Sequence, residues 1–132
     1  KAALAVSLTM IVVVTLFREP LMGIFTDNER IIQIGASVLV LSILLETGRT
    51  INITIINALR ASGDARYPVK IGFISMICIG LSVGYVLVFV LELGLVGVWL
   101  AIALDEWIRA ILVLIRWKSR KWERFAIVTK EE

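Results

Sequence analysis

The sequence predicts an all-α integral membrane protein with four transmembrane helices, and three observations carry that reading. The first is composition. Of the 132 residues, 59% are hydrophobic and 19% charged, with a mean hydropathy of +0.93, whereas a soluble domain is about 45–50% apolar and about 25% charged. The second is where the charges fall. None occurs from Ala2 to Phe17, from Ile31 to Leu45, or from Ile71 to Leu91. The last run, 21 residues long, alone meets the ~20 residues needed to cross a hydrocarbon core. The third is the lack of period-2 alternation in these runs. Lipid offers no partner to backbone N–H and C=O groups, so helices or closed barrels are the choices, and unalternating runs mean helices.

The first span is expected at about residues 1 to 18, ending where "FREPLMGIFTDNER" brings charges and Pro20. Thr26-x-x-Glu29 is a capping-box pattern, expected to satisfy orphan N–H groups at the start of the second span, about 31 to 58. "RASGDARYP" supplies Ser62, Gly63 and Asp64 for a tight turn and Pro68 for the first turn of the third span, about 68 to 91. Within that span Gly80-x-x-x-Gly84, with Gly72 and Ser75, permits close helix approach. "LELGLVG" then closes the third span and opens the fourth, about 95 to 117, through Gly94, and a basic tail occupies 118 to 132. The chain opens on Lys1 directly into apolar sequence, with no small-residue cleavage site and polar mature domain behind it. It therefore reads as the C-terminal part of something longer, not as a signal peptide.

Lys and Arg counts set the orientation. Lys1, Arg60, Arg66, Lys70, Arg116, Lys118, Arg120, Lys121, Arg124 and Lys130 share one face of an up-down array, and Arg18 and Arg30 the other. Ten against two puts the C-terminus in the cytoplasm of a multi-pass protein of the plasma (inner) membrane. Trp117 and Trp122 then lie at the inner interface, and "KSRKWERF" (118 to 125) is an interfacial anchor. A basic tail facing anionic lipid accounts for the net charge of +3, so no nucleic acid is needed as a partner. One cysteine, Cys78, allows no intrachain disulfide, and the absence of histidine removes the usual zinc ligands and His-based triads. No enzyme chemistry, bound metal or cofactor is expected.

Charge inside the spans is the functional signal. "LLETGRTINITIINAL" (44 to 59) holds Glu46 and Arg49 near the centre of the second span, and the fourth is centred between Glu106 and Trp107, beside Asp105 and Arg109. Each charge at a helix centre costs about 2.5–3.5 kcal/mol on insertion scales, so five at one depth demand pairing or a water-filled cavity. At about 100° per residue, with Glu46 at zero, Asn57 falls at about 20°, Thr50 at about 40°, Ser42 at about 320° and Arg49 at about 300°, one polar stripe that leaves Asn52 outside. On the fourth span Asp105 and Arg109 form an i,i+4 pair, Glu106 and Arg109 an i,i+3 pair. Three carboxylates against two guanidiniums leave one acid over, which is protonated or holds a cation. One reading is structural: ion pairs locking helices, with the extra acid neutral. The other is a coupling-ion or substrate site near the midplane, with Glu46, Arg49, Thr50, Asn57, Asp105, Glu106 and Arg109 as its candidates.

Three segments carry a family resemblance over essentially the whole chain. "NALRASGDARYPV" (57 to 69) resembles the loop after the tenth helix of multidrug and toxic compound extrusion (MATE) transporters, "IFTDNERII" (24 to 32) the outer loop before that helix, and "GVWLAIALDEWIRAILVLIRWKSRKW" (97 to 122) their last helix. The resemblance implies a twelve-helix exporter of two six-helix halves, with this chain as helices nine to twelve. It further implies exchange of small organic, often cationic, compounds for Na⁺ or H⁺, with the remaining helices and the lipid bilayer as partners. Arg49 stands where several members carry an acidic cation-coupling residue, with Glu46 one turn earlier. Beside this antiporter reading stand a non-transporting membrane subunit or scaffold, and a lipid or polysaccharide-precursor flippase of related architecture.

Overall fold

In the structure, a computed structural model, residues 2–125 are described, and Lys1 and the end of the expected tail, 126–132, lie outside them. The first charge-free run forms α1 (Ala2–Leu16), which breaks at Phe17. Past the end of the first expected span the chain turns through a short α2 (Arg18–Gly23). Pro20 sits in its first turn, where the missing N–H has no intrahelical acceptor to lose, and Glu19 complements the positive helix end.

α3 (Glu29–Ala61) is 33 residues long, and its cap corrects the expectation at Thr26. The N-cap is Asn28, whose Oδ1 accepts from the N–H groups of Arg30 and Ile31 at 3.0 and 3.4 Å. Thr26 Oγ1 instead accepts from the Asn28 N–H at 3.2 Å. Asn caps at least as well as Thr and stands immediately before the first helical residue, so the helix starts two residues after the position a Thr26 box would require. Along α3 the hydroxyls of Ser37, Ser42, Thr47 and Thr54 each donate to the carbonyl four residues back, which keeps them satisfied in an apolar solvent. The helix closes in a Schellman turn: Gly63, at φ 93°, donates to the Arg60 carbonyl and Asp64 to that of Leu59.

α4 (Arg66–Val90) follows, with Pro68 buried in its first turn. It is not uniformly α-helical. The turns Met76–Leu81 and Val86–Val90 are π-helical, separated by α-helical Ser82–Tyr85. The short link to α5 (Gly94–Lys118) is made by two residues at positive φ, Glu92 at 53° and Gly94 at 54°. A 3₁₀ turn, Lys121–Phe125, ends the described chain, with the Trp117 and Trp122 rings stacked 4.8 Å apart.

The helices do not pack in chain order. α1 lies antiparallel on α3, since Thr15 meets Leu39 and Ser7 meets Thr50. α3 and α5 run parallel, joined from Ser42–Trp99 down to Asp64–Arg116. α4 runs antiparallel on the far side of α5. α5 thus stands between α3 and α4, and its buried residues are mostly small: Ala101, Ala103, Ala110 and Val113. Around α5, the closer approaches fall elsewhere than Gly80 and Gly84. A Cβ at Gly84 would meet that of Ala101 at an ordinary 3.5 Å, whereas one at Gly48 would meet the Trp107 ring at 2.9 Å and one at Gly97 the Leu87 carbonyl at 3.0 Å. Large apolar side chains such as Leu16, Phe73, Leu81 and Phe89 point outward. α3 and α4 are long and apolar enough to cross a membrane, and the described residues contain no strand.

Candidate midplane charge cluster

The midpoints of α3 and α5 fall at Leu45 and Glu106, so the charges one turn either side of these residues share one level. Parallel packing brings them together. Arg49 donates from Nη1 to Glu46 Oε1 at 3.0 Å, and its Nε lies 3.9 Å from Glu106 Oε1 across the seam. On α5, Arg109 Nη2 reaches Asp105 Oδ2 at 2.5 Å and Glu106 Oε1 at 3.1 Å. Glu106 therefore lies between both guanidiniums. The five charges form one chain: Glu46, Arg49, Glu106, Arg109, Asp105.

Two neutral residues complete it. Asn52, 3% exposed, donates from Nδ2 to Glu106 Oε2 at 2.8 Å. From α4, the buried Ser75 hydroxyl donates to Asp105 Oδ1. Indole N–H groups also hold the seam: Trp99, above the cluster, donates to Ser42 Oγ at 3.1 Å, and Trp107, at its level, to the Leu44 carbonyl at 2.8 Å. Trp107 can lie across α3 because Gly48 offers no Cβ. Two buried polar atoms have no partner among the described residues, Asn52 Oδ1 and Arg109 Nε.

Burial grades across the cluster. The Asp105 and Glu106 side chains are 7% and 11% exposed, those of Glu46 and Arg49 31% and 41%. Glu46 also lines a cleft of about 300 Å³ between α1 and α3, whose other walls are Ser7, Met10, Ile11, Val14 and Ser42. The Glu46 carboxylate thus stands at the edge of an apolar, hydroxyl-dotted cleft.

The seven candidates divide accordingly. Glu46, Arg49, Asp105, Glu106 and Arg109 come together. Thr50 faces away from α5 and donates to Ser7 Oγ at 3.2 Å, beside the same cleft. Asn57, expected on the stripe, is exposed and does not join it. Asn52, ranked below it, is the buried one, because α3 has two partners: the Glu46, Thr50 arc meets α1, while Leu45, Gly48, Asn52 and Leu59 turn toward α5. The signal that finds Asn52 is its place at about 240° on the wheel, beside Leu45 and Leu59 at about 260° and about 220°. A further contact has no counterpart in the sequence reading. Asp64, 3% exposed, accepts from Arg116 Nε at 2.8 Å, and the guanidinium lies 4.7 Å over the Tyr67 ring.

Comparison with known proteins adds independent observations. The MatE family profile matches residues 1–86. The chain is 42% identical over 120 residues to the "Uncharacterized transporter YisQ" of Bacillus subtilis, covering 91% of this chain and 26% of that protein. It is 35% identical over 129 residues to the "Probable multidrug resistance protein NorM" of Thermotoga maritima, covering 98% and 28%. A protein of the same name from Idiomarina loihiensis is 30% identical over 110 residues. The chain spans about a quarter of the length of these curated relatives. No solved structure matches it.

Proposed function

The chain belongs to the MatE family, and from that premise we propose that it is the C-terminal part, helices nine to twelve, of a secondary antiporter that exports small amphiphilic or cationic compounds in exchange for Na⁺ or H⁺. The observation that carries the reading is the cluster itself. Five charges meet at the shared level of α3 and α5, three acids to two bases, and one acid, Glu46, opens on the cleft beside α1. A structural lock has no use for an excess negative charge in a bilayer, whereas an exchanger needs a seat for one positive charge at a time. Glu46 is the cation-recognising group, Ser42, Thr50 and Ser7 supply hydroxyls around it, and Met10, Ile11 and Val14 the apolar wall. The protein is an exporter of the plasma membrane with a cytoplasmic C-terminus, as the basic residues beside α3, α4 and α5 favour.

The test is flux by the full-length protein in proteoliposomes. Ethidium should accumulate against its gradient when a Na⁺ or pH gradient is imposed, and accumulation under neither would overturn the proposal. Orientation is tested in a Cys78→Ser background: Ser62→Cys and Met22→Cys should label from opposite sides of intact cells, and labelling of both from outside would refute it.

A further inference from the structure

We infer that the half of α4 beyond Ser75 has two seats on α5, one residue apart in register, and that the π turn Met76–Leu81 is the joint that exchanges them. The inference goes beyond the antiporter reading and stands without it.

The first step is geometry. α4 meets Asp105 at two places: the buried Ser75 hydroxyl donates to its Oδ1, and a Cβ on Gly80 would stand 4.0 Å from its Cγ. Those two positions are five residues apart. On an α-helix, five steps of about 100° leave them about 140° from each other, so a straight α4 does not present both to one carboxylate. A π turn closes i to i+5 and so stacks residues five apart. The turn Met76–Leu81 lies between them. The Ser82 hydroxyl donates to the Ile77 carbonyl, also five residues back, at 3.3 Å.

The second step is what the turn does downstream. It holds one residue more than an α turn, so every later position is set back by one. With the turn in place, α5 meets Gly80 beside Asp105, and Gly84, whose Cβ would stand 3.5 Å from that of Ala101. With the turn straightened to α-helix, Ile79 and Val83 take those two places. All four residues are half-buried, as they are when the edge of α5 lies between the two rows.

The third step is room. Beside the glycine row a groove of about 420 Å³ stays open, walled by Gly80, Gly84 and Tyr85 on α4 and by Val98, Ala101 and Ile102 on α5. A roll of one residue carries the Ile79 and Val83 side chains toward Ala101 and into that space. Each seat gains what the other lacks. The present one has close backbone approach beside an unfilled apolar groove; the other has a filled groove and a regular helix, at the loss of the glycine contacts. The near end of α4 takes no part. Ser75 keeps its bond to Asp105, and the Arg116 guanidinium its place 4.7 Å over the Tyr67 ring. The exchange therefore repacks the seam toward Leu91 while the charge cluster stays held, on the microsecond-to-millisecond scale of helix register shifts.

The experiment is disulfide trapping in the full-length protein in isolated membranes, in a cysteine-free background that includes Cys78→Ser, read by loss of thiol labelling after oxidation. Gly84→Cys with Ala101→Cys reports the present seat, since those Cβ positions lie 3.5 Å apart, within disulfide range. Val83→Cys with Ala101→Cys reports the other. Both pairs should cross-link. Deleting Ile77 removes the residue that the π turn adds and keeps Gly84 against Ala101 on a continuous α-helix. It should slow the Val83 pair at least about tenfold and leave the Gly84 pair unchanged, because a disulfide forms only within a narrow range of Cβ separation. Gly80→Leu, crowded against Asp105 in the present seat, should speed the Val83 pair several-fold, and this arm decides the matter if the deletion variant does not fold. A Val83 pair that fails to cross-link, or that cross-links as fast after deletion of Ile77, means one seat only and overturns the inference. So does a Val83 pair that Gly80→Leu leaves unchanged or slows. Ethidium flux enters none of these measurements, so their failure leaves the antiporter reading standing.

Discussion

Two charged contacts join α3 and α5, and they are built on opposite plans. At the end of the seam, Asp64 meets Arg116 one to one, at 2.8 Å, with both partners largely enclosed and the guanidinium lying on the Tyr67 ring. At its middle, three acids share two bases, burial falls off toward Glu46, and two polar atoms are left unpaired. The first contact has equal charges and every strong group satisfied, so it has one low-energy arrangement. The second has an odd charge and spare donors and acceptors, so it has more than one. Both contacts belong to one seam; balance is what separates a clasp from a site.

The largest expected effect lies at the clasp. Asp64→Ala leaves Arg116 enclosed without a carboxylate, and breaking such a pair costs about 3–5 kcal/mol. Arg116 keeps some exposure, 17%, so a loss near about 3 kcal/mol, the lower end, is expected. Thermal unfolding of the full-length protein in detergent measures it. A loss below about 1 kcal/mol would make the clasp no more than an exposed surface pair.

Next comes Gly48→Ala. Its Cβ would stand 2.9 Å from Trp107 Cδ1 and 3.0 Å from Nε1, on a ring held in place by its bond to the Leu44 carbonyl. Overpacking of this kind costs about 1–3 kcal/mol, and pushing the ring away also parts Asn52 from Glu106. Stability and ethidium transport should fall together. Loss of stability with transport intact would show that the cluster does not depend on the seam's spacing.

Glu46→Gln should act in the opposite sense to Asp64→Ala. It removes a negative charge from a cluster that has one too many, so unfolding should be unchanged or slightly delayed. Gradient-driven ethidium transport should drop at least about tenfold, about 1.4 kcal/mol in barrier terms. If export instead proceeds at the wild-type rate, Glu46 is a structural partner of Arg49 and the contrast between clasp and site collapses.

The all-helical membrane architecture was legible because long apolar runs bounded by Pro, Gly and charge have few alternatives in lipid. Pairs within one helix were legible too, since Glu46 with Arg49 and Asp105 with Arg109 follow from spacing alone. What spacing cannot give is which neighbour each face meets. A wheel centred on Glu46 selected the arc toward α1 and so favoured Asn57 over Asn52, although the protein buries Asn52 against α5. The Asp64–Arg116 pair was hidden for the same reason: its partners are 52 residues apart, and only the parallel packing of α3 on α5 joins them. The π turns of α4 have no sequence signal we can name.

The smallest effect is expected where the sequence pointed most plainly to close packing, the Gly80 and Gly84 pair of α4. In a bilayer such spacing usually marks backbones in near contact, and a methyl group there should then be costly. Here a Cβ on Gly84 would stand 3.5 Å from that of Ala101, an ordinary van der Waals distance. The α4–α5 interface is set instead at Gly97, where a Cβ would press on the Leu87 carbonyl at 3.0 Å, and at the Ser75–Asp105 bond. Gly84→Ala adds contact with Ala101 and removes backbone freedom from the unfolded chain, a gain of about 0.5–1 kcal/mol for an unstrained helical site. Its unfolding midpoint should therefore match or exceed that of wild type, with ethidium transport unchanged. A Gly84→Ala variant less stable than Gly48→Ala would reverse the ranking of the two interfaces: α4 would then be the tightly fitted partner of α5, and α3 the one with room to shift.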